Sequence, residues 1–263
     1  MEFRERRDEP WAFIEPLLPP KARTGRPRAD DRKTRNRILS VLTTGCRWMD
    51  RPAKDGSDGL AEAEGMGSPG GMGETVAAPF GLGVSGEETV PGRGRGRCDD
   101  RGGQKRGEEV GFDGDRRRKG TKVHAVVTAQ GAPVGIEGTS AQKPEGVVFS
   151  RLLRRASVGR RTRPREVAGD GSSDSRSIRA ELRRRGRWAW RSVNPRNRRG
   201  SRRGRPYRFD PDTDRVLRGA VERFFAWWKG GFRRLARRHE RLRATFQGFV
   251  HLAGFLITWR VLR

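Results

Sequence analysis

Between Ala53 and Cys98, 13 of the chain's 36 glycines fall within 46 positions. One aromatic residue, Phe80, lies in that stretch, and the apolar residues keep no period of 3.6 or 2. Glycine gives up the most backbone freedom on ordering and brings no side chain to bury in return. Composition therefore predicts a flexible or disordered linker over 53–98. It divides the 263 residues into a small region, 1–52, and a larger one, 99–263.

The small region reads as helical. In "EPWAFIEPLLPP", Trp11, Ile14 and Leu18 stand at helical intervals, and Pro19-Pro20 stops the run. A basic loop around Gly25-Arg26-Pro27-Arg28 follows. Asp30 or Asp31 can then cap a second helix with Ile38, Leu39 and Leu42 on its apolar face. Short helices joined by basic loops suit a helix-turn-helix-like DNA-binding region, and they equally suit a plain helical hairpin.

Past Asp99 the pattern changes. Lys122–Val127 and Pro133–Ile136 read as two strands about a turn at Gln130-Gly131. "PEGVVFSRLLRRA" predicts a helix with Val148, Leu152 and Leu153 inward. "PREVAGD" is a short strand ending at Asp170, and Asp174 or Ser175 caps the helix "RSIRAELRRRG". "RWAWRSVNPRN" is a further strand running into a basic loop, and long helices close the sequence. Strands, then strand–helix alternation, then helices predict an α/β layer architecture.

Lys and Arg number 59 against 32 acids, a formal charge of +27. Such an excess favours a polyanionic partner, because each neutralised phosphate releases counterions. Only 8 of the cations are lysine, a bias that GC-rich coding DNA also produces, but arginine pairs well with phosphate whatever its origin. Cys46 and Cys98 give neither a disulfide framework nor zinc spacing, and His124, His239 and His251 are too scattered for a histidine metal site. Met1–Arg7 is charged with no apolar core after it, so no signal peptide is expected. Phe246–Leu262 is broken by polar residues and short for a bilayer span, so it predicts a buried helix in a soluble, cytoplasmic protein.

Three acids stand out by position: Asp99 (or Asp100) opening the larger region, Asp170 at a strand end, and Glu222 on a long helix. Strand C-termini in α/β sheets face the ligand crevice. Arg218, Glu222 and Lys229 fall within about 40° of one another on a helical wheel, beside an apolar stripe of Val221, Phe224, Phe225 and Trp228. Two or three such carboxylates suit two Mg²⁺ ions, which take oxygen ligands and keep waters that can attack a phosphodiester. The plainer reading makes Glu222 a surface ion-pair partner of Arg218 and Asp170 a turn residue.

Taken together, "GRPRADDR", "ILSVLTTGCRWMD", "GEEVGFDGDRRRKGTKVHAVVTAQGAPVGI", "VAGDGSSDSRSIRAELRRRG" and "VERFFAWWKGGFRRLARRHERLRATFQGFVHLAGFLITWRVLR" resemble, in order, insertion-sequence transposases of the DDE class, the IS-five-like group. The resemblance implies an RNase H-like catalytic domain over 99–263, preceded by the helical region. It implies catalytic, metal-holding carboxylates at Asp99, Asp170 and Glu222, with two Mg²⁺ (or Mn²⁺) ions. Arg218 and Lys229 would position DNA, joined by Arg26, Arg28, Arg198, Arg199, Arg202 and Arg203 of the basic loops. The implied activity is hydrolysis at transposon ends and strand transfer. The implied partners are double-stranded terminal-repeat and target DNA, bound by a homodimer associated with the nucleoid, with no membrane.

Three departures stand against this. Arg215 replaces the tyrosine of the family's tyrosine–arginine–glutamate–lysine signature, and Ser173 replaces another tyrosine. In 53–98 no apolar strand leads to the first aspartate. Family-like sequence on both sides of that stretch points to a pair of compensating frameshifts in the coding DNA, and so to a degenerate, inactivated copy. A DNA-binding remnant without catalysis is the alternative. A basic RNA-associated structural protein, a third class, leaves the Arg218–Glu222–Lys229 line unexplained.

Overall fold

The computed structural model describes residues 15–18, 20, 24, 29–50, 82–91, 107–114, 117–155, 166–169, 175–191 and 211–262. The sheet is built around β3 (Arg118–Val127), which pairs with three other strands, β1, β2 and β4. On one side β3 pairs antiparallel with β1 (Leu82–Pro91), Val84 opposite Val127 and Pro91 opposite Gly120. β5 (Glu166–Gly169) runs parallel to β1, with Val84 level with Ala168, and β6 (Trp188–Arg191) runs parallel to β5. The other edge of β3 takes β2 (Gly111–Asp113) along residues 118–120 and β4 (Pro133–Ser140) along 121–127. The result is a six-stranded mixed sheet.

β1 overturns one expectation. It lies within the glycine-rich stretch read as a linker, and it is the strand that joins the antiparallel half of the sheet to the parallel half. Its pattern is unreadable alone because glycines interrupt it at 83 and 86. It is ordered by its neighbours, hydrogen-bonding to β3 on one side and β5 on the other. The β3–β4 turn is as expected, although both strands run longer than the sequence pattern. Gly131 there has φ of 94°, the left-handed region that a side chain disfavours.

Helices cover both faces of the sheet. On one face α2 (Glu145–Arg155) and α3 (Arg176–Arg184) enclose a core of Phe149, Leu153, Val167, Ile178 and Leu182. Ser175 caps α3 by accepting from the Ile178 N–H at 3.2 Å. On the other face lie α1 (Asp31–Thr44), α4 (Pro211–Gly231), α5 (Arg233–Ala236) and α6 (Arg243–Val261). Adjacent residues of β5 divide between the layers, Val167 to the α2–α3 core and Ala168 to the larger one, as strand pleating requires.

α1 belongs to that larger core. Asp30 caps it by accepting from the Lys33 N–H at 2.8 Å, and Gly45 ends it with φ of 73°. Its buried Ile38, Leu39, Val41 and Leu42 share one cluster with α4, α5 and α6. Trp48 stacks on Phe249 with ring centroids 5.9 Å apart, and Arg234 Nη1 donates to the Cys46 carbonyl at 3.0 Å. The expected helix through Trp11–Leu18 is corrected in its described part. Glu15–Leu17 forms one 3₁₀ turn, since Pro16 lacks a backbone donor and Pro19 and Pro20 follow. Trp11 and Ile14 lie outside the described residues.

α6 packs along β4, and Gly138 N–H donates to Gln247 Oε1 at 2.9 Å. The segment before β2 ties down its start: Arg243 N–H donates to Glu108 Oε2 at 2.9 Å. The Arg238 guanidinium lies over the Phe246 ring, 4.8 Å from its centroid, and donates to Thr121 Oγ1. Among the described residues no helix is long and apolar enough to cross a membrane.

Candidate functional site

α4 carries the site residues that the structure describes. Its inner face buries Leu217, Ala220, Phe224, Phe225 and Trp228. Its outer face exposes Arg215, Arg218, Glu222 and Lys229, all within about 60° of arc. Among the described residues Glu222 makes no ion pair with Arg218 or with any other cation. The surface ion-pair reading of Glu222 is therefore corrected. Arg218 is one turn away, but both side chains stand exposed, where such a pair gains little.

The orientation of α4 follows from its two flanks. The helix packs over β1, β3, β5 and β6, so it runs across the strands. On one flank Arg223 Nη2 donates to the Ala129 carbonyl at 2.9 Å. A Cβ added at Gly131 would meet the Trp227 ring at 3.3 Å. That flank therefore meets the β3–β4 turn, at the end of the sheet where β1 and β5 begin. Arg218 and Lys229 lie about 180° and 160° round the helix from Trp227, and Glu222 about 140°. They belong to the flank facing the opposite end, where β5 stops at Gly169.

Asp170 follows Gly169 directly in the chain. Asp99, Asp100 and Asp170 lie outside the described residues, as do Arg26, Arg28, Arg198, Arg199, Arg202 and Arg203. Of the expected site, only Glu222, Arg218 and Lys229 are described. Among the described residues no three His, Cys, Asp or Glu side chains group closely enough to hold a metal ion.

β1 carries two acids of its own, Glu87 and Glu88. Glu88 pairs in register with Val123, and Glu87 with His124. Both stand further along β1 than Ser85, which is level with Gly169. Their only sequence signal is the pair of acids followed by Thr89-Val90, hidden among glycines.

The opposite sheet face holds a buried polar row. His124 Nε2 lies 2.9 Å from Thr139 Oγ1, and the buried Glu137 pairs with Arg151 at 2.6 Å. Burial, reinforced by Lys122 and Arg151, lowers the His124 pKa to about 4. At the sheet edge, burial opposes ionisation of Glu109. The Ser140 N–H, Lys143 and Arg243 outweigh it and hold that carboxyl below its usual value. Glu137 and Glu109 carry internal ion pairs, His124 a contact with Thr139, and all three stand apart from the α4 line.

The family model described as "Transposase DDE domain" matches residues 88–257. The chain belongs to that family. The match implies an RNase H-like α/β fold, and helices on both faces of a mixed sheet accord with it. A second model, described as "Putative transposase of IS4/5 family", matches residues 7–61. A curated protein of Burkholderia cepacia, "Insertion element IS402 uncharacterized 16.2 kDa protein", is 46% identical over 54 residues, 19% of this chain and 37% of that protein. The chain thus spans little more than a third of the curated relative it matches. DDE domains generally use divalent metal ions.

Proposed function

We propose that this transposase hydrolyses a phosphodiester at the ends of an insertion sequence and joins the freed end to target DNA. The observation that carries the reading is the α4 line, in which an exposed carboxylate without an ion pair sits among Arg215, Arg218 and Lys229. Its flank faces the strand end after which Asp170 comes. Period-two alternation along β5 would give Asp170 the face of Ala168, the face α4 covers. Asp170 and Glu222 would then hold Mg²⁺ together with a third acid, Asp99 or Asp100.

Carboxylate oxygens are the donors Mg²⁺ prefers, and among the described residues no cation competes for Glu222, so a carboxylate set of Glu222, Asp170 and a third aspartate would suit the ion. When bound, Mg²⁺ supplies an activated water and charge for the phosphoryl oxygens. Arg218 and Lys229 would hold the scissile strand by its phosphates. Arg26, Arg28, Arg198, Arg199, Arg202 and Arg203 would extend the grip along the duplex, with 1–52 as a DNA-binding region and a homodimer bringing two ends together. Such a protein would reside with the nucleoid.

Titration calorimetry with Mg²⁺ and with Mn²⁺ tests the reading, alongside nicking of a terminal-repeat duplex. Glu222→Gln and Asp170→Asn should each weaken Mn²⁺ binding and abolish nicking while the fold stands. Unchanged Mn²⁺ affinity in both variants would sink the site. The second reading, a DNA-binding remnant, is favoured by Arg215 in place of the family's tyrosine. It predicts duplex binding with no Mg²⁺-dependent nicking by the parent chain.

A further inference from the structure

The arginines of this molecule fall into two groups. Many are neutralised internally: Arg151 by Glu137, Arg184 and Arg185 by Glu181, Arg234 by Glu240, Arg243 by Glu109. Others are exposed with no side-chain partner among the described residues, and four of these lie on the layer that carries Glu222: Arg215, Arg218, Arg233 and Arg237. On α4, Arg215 lies about 20° from Glu222 on the helical wheel. Arg233 follows Lys229 by four residues, across the single break at Phe232.

The α5 end of this line is anchored to α1. A Cβ added at Gly45 would come within 3.1 Å of the Arg233 Cβ, and the next residue, Arg234, reaches the Cys46 carbonyl. Arg234 is itself fixed by a buried ion pair with Glu240 at 2.7 Å. Arg47, one residue beyond, is exposed and has only a long contact of 3.7 Å to Asp50, the kind of pair that gives way to a better anion. The line from Arg215 to Lys229 is about 21 Å long at 1.5 Å per residue. At about 3.4 Å per nucleotide along a strand, that matches some six base-pair steps.

We infer that α4, α5 and the turn after α1 form one continuous DNA-backbone surface, with Arg215, Arg233, Arg237 and Arg47 as its phosphate contacts. The occupant is duplex DNA running along α4 past Glu222 and on over the α1 turn. The inference rests on DNA being the partner, as proposed above, and adds the track along which it lies. Because α1 shares the core of α4 and α5, the track is rigid across the joint between the two matched family regions. The replacement of a tyrosine by Arg215 then extends the phosphate contacts by one.

Fluorescence anisotropy of a labelled 20-bp duplex, titrated from low to moderate salt, tests this. The triple variant Arg215→Gln, Arg233→Gln, Arg237→Gln should lower the slope of log affinity against log salt by about 3, near 0.9 per lost contact. Its lysine counterpart should keep the parent slope. Arg176→Gln with Arg183→Gln, exposed on α3 across the sheet, should leave the slope unchanged. An unchanged slope in the glutamine triple, or an equal fall in the α3 pair, overturns the track while DNA binding itself stands. Absence of salt-dependent binding by the parent chain would sink the DNA reading first. Equal affinity for a duplex RNA of the same length would overturn the choice of occupant. Should the triple variant fail to fold, the three single changes read the same slope, about 0.9 each.

Discussion

Among the described residues α4 and α6 are the two longest helices, 21 and 19 residues, and both pack on the same face of the sheet. They differ in what their second side meets. α6 has β4 on one side, while Phe249 stacks with Trp48 after α1, and its charged residues Arg243 and Arg260 stand at its ends. α4 has a buried face as apolar as that of α6, but its outer line is exposed and charged along its middle. A helix enclosed on two sides spends its sequence on packing. A helix enclosed on one side retains a surface on which selection can place chemistry, so changes on the two should separate cleanly into loss of fold and loss of binding.

The sharpest test of that separation is Phe249→Ala. It empties a site at the α1–α6 contact and should cost about 3–5 kcal/mol, read by chemical denaturation. If the cost is under about 1 kcal/mol, α1 is not held by α6 and the contrast fails. Next comes a buried group on the sheet's other face. The pKa of His124 falls from 6.5 to about 4 on folding, so the unfolded chain binds its proton first as pH drops. Stability should be full above pH 6.5 and fall between 6.5 and 4, by up to about 3 kcal/mol. His124→Gln should remove that part of the acid sensitivity.

A smaller effect is expected where α6 begins. Glu108→Ala removes the acceptor for the Arg243 N–H and a negative charge from the helix N-terminus, and should cost about 1 kcal/mol. The smallest change in stability belongs to α4. Glu222→Gln should alter the melting free energy by no more than about 0.5 kcal/mol, since the side chain is exposed and makes no ion pair. The same variant should lose divalent-metal affinity. A large destabilisation there would make the carboxylate a structural group.

What the sequence disclosed follows from how local its signals were. α1, α3 and the β3–β4 hairpin were legible because Asp30, Ser175 and Gly131 act within a few residues of themselves. β1 was not, because glycines erase the alternation a strand shows, and its order comes from hydrogen bonds to β3 and β5. The 3₁₀ turn at Glu15–Leu17 was misread because helical spacing outweighed Pro16. Within the site, the line through Arg218, Glu222 and Lys229 was legible from helical periodicity alone. That it faces the β5 end was not. That depends on Trp227 and Arg223 meeting the β3–β4 turn, which lies about 90 residues earlier in the chain and leaves no trace in either segment.

The stacking of Trp48 on Phe249 also sets a schedule for the newborn chain. Phe249 is translated 201 residues after Trp48, an interval of roughly 10–40 s at about 5–20 residues per second. Through that time Ile38, Leu39, Val41 and Leu42 of α1 have none of the partners from α4, α5 and α6 that later cover them. α1 must therefore wait, open to chaperones or to a neighbouring nascent chain, until α4, α5 and α6 have left the ribosome. Any copy of the gene that stops before residue 211 would yield a chain whose α1 face never closes, and such a chain should be aggregated or degraded rather than retained as a folded competitor.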